Sequence, residues 1–301
     1  MVHRGLLGAR MSTLLDHINL ARLRLRGFRS RYVGTPHGRV HALVAGRAGE
    51  RPPLVLMAGL SSRATHFNRL APHLLDRDRQ VMLVDLPGHG LSDIPREGLT
   101  GPTLQRGVIA ALDQLIDEPA IVFGNSLGGF MALRHALHSP HKVRGLVLAS
   151  PGGARMDAME LVEFMERFRL RTHRDAVRLI ERVFCRASPP LRQAMALVAR
   201  RQLGQRHMRT LINSSRPDHL FTAEELGRLQ VPVRMLWGTG DQVLPASHRA
   251  FFRAALPHAD WAEPAGYGHS PYVEEPRDLA ARILGFAERH GPRERQLVEA
   301  S

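Results

Sequence analysis

The chain has 301 residues, 44% of them hydrophobic, which is enough to bury a large core as one big domain or as a domain carrying an insertion. A formal net charge of +14 suggests a polyanionic partner, but Lys142 is the only lysine, the arginines are spread along the chain and no nucleic-acid-binding module is recognisable, so nucleic-acid binding is set aside. No run of about 18 apolar residues could span a bilayer, and the single Cys185 leaves neither an intrachain disulfide nor a Cys-based metal site.

The stretch "MVHRGLLGARMSTLLDHINLARLRLRGFRSR" is broken by charges too often to form a signal-peptide core, and no small-residue cleavage site follows; a cytoplasmic location is expected. Residues 1–28 are expected to form an amphipathic helical extension. Leu14, Leu15, Ile18, Leu23 and Leu25 are assigned to one side of its helix, with Arg22, Arg24 and Arg26 on the other. Two readings stay open: a leading helix packed on the domain or on a second subunit, or a peripheral membrane contact through residues 12–26.

From residue 29 onward, short β-rich runs alternate with helical patterns. "RSRYVGT" and "RVHALVAG" read as a hairpin pair about the turn "PHG". The runs at 54–59, 81–85, 120–124, 143–150 and 233–238 are short and mostly apolar, as suits strands buried on both faces of a parallel sheet. Helical stretches at 64–76, 103–117, 126–138, 247–256 and 276–290 separate them or follow, predicting a doubly wound α/β sheet with crossover helices. Residues 154–218 interrupt this rhythm with amphipathic helices punctuated by "SPP", and read as a lid or cap inserted after the sixth strand. The core is then assigned to 29–153 and 219–290, and 291–301 to a polar tail.

Gly124-Asn125-Ser126-Leu127-Gly128 fits G-x-S-x-G, with "AIVF" before it as the strand and "GGFMALRHALH" after it as the helix that a nucleophile-presenting turn requires. Side chains at the two glycines would crowd the strand and helix, and the helix N-terminus favours a developing negative charge. A serine hydroxyl needs a base oriented by an acid. Of seventeen histidines, His269 in "AGYGHSPYVEEP" sits in a Gly-bearing loop late in the chain, where a base following Ser and acid belongs. Asp241, in the Gly-rich turn after the strand 233–238, is the candidate acid. Asp85 also ends a strand but precedes the serine and reads as a structural residue bonding its own turn, while the end of the strand at 143–150 offers only Ser150. The backbone N–H groups of Leu60 and Leu127 are the candidate oxyanion hole, with Gly59 keeping the first loop close.

With these residues in place, "DLPGHGLSD" (85–93), "GNSLGG" (124–129), "WGTGDQVLP" (237–245) and "GYGHSPYVEEP" (266–276) resemble, in order, the landmarks of the α/β-hydrolase superfamily. The resemblance covers about residues 29–290. It implies a mostly parallel sheet of about eight strands, a cap after strand six, a Ser126–Asp241–His269 triad and no cofactor or metal. It also implies a small-molecule ester substrate cleaved through an acyl-enzyme. Ala58-Gly59 stands where members commonly have His-Gly. "GNSLGG" with "SPGG" further resembles the meta-cleavage-product hydrolases, which break carbon–carbon bonds, although "AGLSS" and Ser270 depart from their pattern. The same fold would also suit a non-catalytic binding protein, an acyltransferase or a membrane-surface lipase. Met156, Met159, Phe164, Met165 and Phe168 are the pocket candidates contributed by the cap.

Overall fold

The computed structural model describes residues 14–291. The first thirteen residues of the expected extension, and the polar tail beyond Gly291, lie outside that range.

Eight strands form one sheet: β1 (Arg29–Thr35), β2 (Gly38–Ala45), β3 (Leu54–Met57), β4 (Val81–Val84), β5 (Ala120–Ser126), β6 (Val143–Pro151), β7 (Val233–Leu236) and β8 (Asp260–Ala262). Their spatial order is β1-β2-β4-β3-β5-β6-β7-β8. The first two make the expected hairpin, running from Arg29↔Val44 to Thr35↔Gly38, and β2 meets β4 antiparallel. All later pairings are parallel. β3 and β4 are buried at every residue, which explains their unbroken apolar runs: helices cover both faces.

Eleven α-helices accompany the sheet among the described residues: α1 (Leu14–Leu25), α2 (Gly101–Leu115), α3 (Leu127–His138), α4 (Ala158–Glu166), α5 (His173–Val183), α6 (Pro189–Leu203), α7 (Arg206–Asn213), α8 (Ala223–Gly227), α9 (Ala246–Ala255), α10 (Pro271–Glu274) and α11 (Pro276–Arg289). Alternation along the strands sorts the core into two layers. Val55, Met57, Met82 and Val84 join Leu104 and Val108 of α2 and Met131 of α3. Leu54, Leu56, Val81 and Leu83 join Ile283 and Phe286 of α11 together with Leu20 and Leu23 of α1. Each such side chain contributes roughly 1.5–3 kcal/mol by leaving water.

Two expectations are corrected. The helix expected over 64–76 is a pair of 3₁₀ segments, Ala64–Arg69 and Ala71–His73. Pro72 has no N–H to continue a helix, and the Ala64 N–H is taken by the Asp85 carboxylate at 2.6 Å. Helix α1 does not gather its apolar residues on one face. It buries Asp16, Asn19, Leu20 and Leu23, and leaves Leu14, Leu15, Ile18 and Leu25 exposed.

Between β6 and β7 the chain builds α4 to α8. Local sequence starts several of these helices: Asp157 accepts from the N–H groups of Met159 and Glu160, and Thr172 and Asp175 form a reciprocal capping box at α5. The "SPP" punctuation becomes the start of α6, with Pro189 in its first turn, where no N–H is needed.

Candidate active site

Ser126 stands at the end of β5 and immediately before α3, with φ 53° and ψ −119°. A non-glycine residue in this region is strained, and the surroundings enforce it. A Cβ on Gly124 would lie 2.6 Å from the Gly128 carbonyl oxygen, and one on Gly128 would lie 2.2 Å from the Met57 oxygen. The two glycines are there because strand, turn and helix leave no volume for a side chain. A Cβ on Gly59 would come within 3.0 Å of the Ser126 Cβ, so the loop after β3 passes directly beside the hydroxyl. Leu60 belongs to that loop. Leu127 is the first residue of α3, so its N–H has no partner within the helix.

The imidazole of His269 and the carboxylate of Asp241 meet at 2.8 Å, Nδ1 to Oδ2, with side chains 8% and 0% exposed. The other carboxylate oxygen accepts from the Val243 N–H at 2.8 Å and the Leu244 N–H at 3.4 Å. Burial by itself pushes the Asp241 carboxyl upward. The charge of His269, its hydrogen bond, the Ser150 hydroxyl and the Val243 N–H outweigh that push, and hold the acid below the usual carboxylate range. Ser150, standing where an acid after β6 would be, therefore supports the acid after β7.

The His269 loop is fixed from three sides. Its carbonyl accepts from the Asn125 Nδ2 at 2.7 Å, and that amide also donates to the Ala149 oxygen at 2.9 Å. Its N–H donates to the Val183 oxygen at the end of α5, at 2.9 Å. Glu274 accepts from the Gly268 N–H at 2.9 Å and from the Cys185 N–H at 2.7 Å. Asn125 and Glu274 carry no signal in the sequence that marks them for these roles. Asn125 occupies a free position of G-x-S-x-G, and nothing in that pattern says that its side chain ties the serine turn to the histidine loop. Asp85 bonds its own turn, accepting from the Leu91 N–H at 3.0 Å, and also pairs with His41 at 2.7 Å.

A cavity of about 620 Å³ is bordered by Ser126, Asn125, His269, Gly59 and Leu60, and by apolar side chains of α5 and α6 such as Ile180, Val183, Met195 and Val198. Of the five side chains expected from the cap, Phe168 borders it. Met156 and Phe164 are buried in the sheet's core, Met165 packs against the core, and Met159 is 73% exposed. Helix α1 supplies cavity residues that the sequence did not flag: Leu15, Asp16, Asn19 and Arg22.

A family model for the alpha/beta hydrolase fold matches residues 52–276. The chain belongs to the α/β-hydrolase family, and the protein is a hydrolase of that family. It is 32% identical over 258 residues to a pimeloyl-[acyl-carrier protein] methyl ester esterase of Xanthomonas oryzae pv. oryzae, across 79% of this chain and 96% of that protein. It is 23% identical over 293 residues to the monoacylglycerol lipase ABHD6 of Bos taurus, across 87% and 83% of the two chains. Among solved structures it resembles a bacterial membrane phospholipase A, with a TM-score of 0.77 and 26% identity across 92% of this chain and 91% of that one.

Proposed function

We propose that this hydrolase cleaves carboxylic esters of apolar acyl groups through a covalent acyl-enzyme on Ser126. His269 takes the hydroxyl proton as Ser126 attacks the carbonyl, and Asp241 holds the imidazole in the tautomer that leaves Nε2 free to accept it. The N–H groups of Leu60 and Leu127 receive the oxyanion, aided by the N-terminus of α3. His269 then protonates the leaving alcohol, and afterwards activates the water that releases the acid. Residues 29–153 and 219–290 form the hydrolase core in this reading, and 154–218 the cap that closes over the acyl group.

One observation carries the proposal. The Asp241–His269 pair bridges two loops, the His269 loop is hydrogen-bonded to Asn125, the residue preceding Ser126, and this assembly opens on a cavity with apolar walls. The likeness to an esterase and a lipase supports the ester bond as the target. The test is a series of p-nitrophenyl esters of increasing acyl length, with a dienoate carbon–carbon substrate beside it. Ser126→Ala and Asp241→Asn are each expected to lower kcat by about 10⁴-fold or more. Undiminished ester turnover by Ser126→Ala, or a clear preference for the dienoate, would overturn the proposal.

A further inference from the structure

We infer that the outer face of α1 and the start of α6 dock on an anionic lipid bilayer, and that the ester reaching Ser126 is a lipid drawn from it. The second part rests on the hydrolase reading above. Helix α1 turns two faces to different surroundings. Its inner face is held by Leu20 and Leu23 and by Asp16, which accepts from the Arg63 guanidinium at 3.1 Å with both side chains under 10% exposed. That anchorage fixes which side chains point outward: Leu14, Leu15, Ile18 and Leu25, exposed at 76%, 60%, 40% and 87%. A helix already seated in the core thus presents a second apolar stripe that the described fold does not cover.

The stripe adjoins the catalytic cavity. Leu15 and Arg22 of α1 and Leu191 of α6, itself 52% exposed, all border the cavity that contains Ser126. Its rim is therefore apolar where two distant parts of the sequence meet, and Met195 and Val198 continue the apolar surface along α6. An acyl chain leaving a bilayer across this rim could reach the serine without crossing bulk water.

Charge selects the partner. Between residues 14 and 31 the only acid is Asp16, engaged by Arg63, while Arg22, Arg24, Arg26, Arg29 and Arg31 are all exposed. Guanidiniums flanking an apolar stripe match an anionic membrane surface. A second copy of the chain would bring the same basic face and repel it, so the charge favours lipid over self-association.

The test is co-sedimentation of the full-length Ser126→Ala protein, which binds without turnover, with phosphatidylcholine vesicles lacking or containing phosphatidylglycerol. Binding is expected to be about tenfold stronger to the anionic vesicles and to weaken as salt is added. Leu14, Ile18 and Leu25 do not border the cavity. Replacing all three by Glu is expected to cut vesicle binding, and hydrolysis of a long-chain ester embedded in the vesicles, by about tenfold or more. The same variant should hydrolyse a soluble short-chain ester at the original rate. Binding that ignores phosphatidylglycerol or survives the triple replacement overturns the inference. So does a concentration-dependent dimer that this variant abolishes while vesicle binding is absent. Vesicle binding without turnover of either the soluble or the embedded ester would remove the ester-hydrolase reading and leave the docking surface standing. Turnover of soluble but not of embedded ester would remove the lipid-substrate part alone.

Discussion

The turn between β5 and α3 and the helices α4 to α7 are built on opposite principles. At the turn, position is set by exclusion: Gly124 and Gly128 are backed by backbone atoms at distances no Cβ tolerates, and Ser126 takes the strained conformation that remains. Across α4 to α7, position is set by accumulation: local caps start α4 and α5, Ala176, Ile180 and Ala196 of α5 and α6 form a small cluster of their own, and Phe164 of α4 and Leu211 of α7 join the main core. A motif governed by exclusion has a fixed spacing and can be read in a sequence. Helices governed by accumulation show their existence and hide their placement.

The sharpest way to break this comparison is Gly128→Val, whose Cβ would meet the Met57 carbonyl. Denaturant titration should show a loss of more than about 4 kcal/mol, or no folded protein. Gly227→Ala, at a helical glycine with open space around its Cβ position, should stay within about 1 kcal/mol of the parent. Equal effects at the two glycines would show that exclusion does not govern the turn. Asp16→Ala should cost about 3–5 kcal/mol, because it leaves the buried Arg63 guanidinium without its carboxylate. That would mark α1 as part of the core rather than an appendage; a cost under about 1 kcal/mol would contradict it.

Within the helical segment, Met156→Ala should cost about 2–5 kcal/mol and Met159→Ala less than about 0.5 kcal/mol, since the first side chain is 4% exposed and the second 73%. Chemical denaturation of both variants checks the split. The gentlest probe is pH. His89, in the turn after β4, and His248, which packs on Phe164 of α4 with ring centroids 5.3 Å apart, are both buried, and that burial lowers each to about 4 from an ordinary 6.5. The unfolded chain then takes up protons that the folded one refuses, so stability falls as pH drops from 6.5 towards 4. Each histidine accounts for roughly 3 kcal/mol at most. His248→Leu should flatten part of that slope in thermal melts recorded between those pH values; an unchanged slope would show that His248 is not buried neutral.

Much of the core was legible because its pattern is dense. Short, mostly apolar runs marked the strands at 54–59, 81–85, 120–124, 143–150 and 233–238. The helices at 101–115, 127–138, 246–255 and 276–289 lie within two residues of the ranges expected at each end. Chain order and Gly-bearing turns pointed to Asp241 and His269, and the structure brings their side chains into contact. What stayed hidden depends on tertiary neighbours. Nothing in "DHINLARL" says that Asp16 and Asn19 face inward, because the partner of Asp16 lies 47 residues away on Arg63. Pro72 could have warned against one continuous helix over 64–76. The cavity wall on α5 and α6 could not have been read, since an amphipathic period leaves open which surface the helix packs against.

The central claim is that Ser126 is a nucleophile activated by His269. Intact-mass measurement after exposure to a fluorophosphonate probe tests it most directly. The expected result is a single adduct, mapped by peptide analysis to Ser126 and lost in Ser126→Ala, with labelling strongly slowed in His269→Ala. An adduct on another residue, or undiminished labelling of Ser126→Ala, would contradict it.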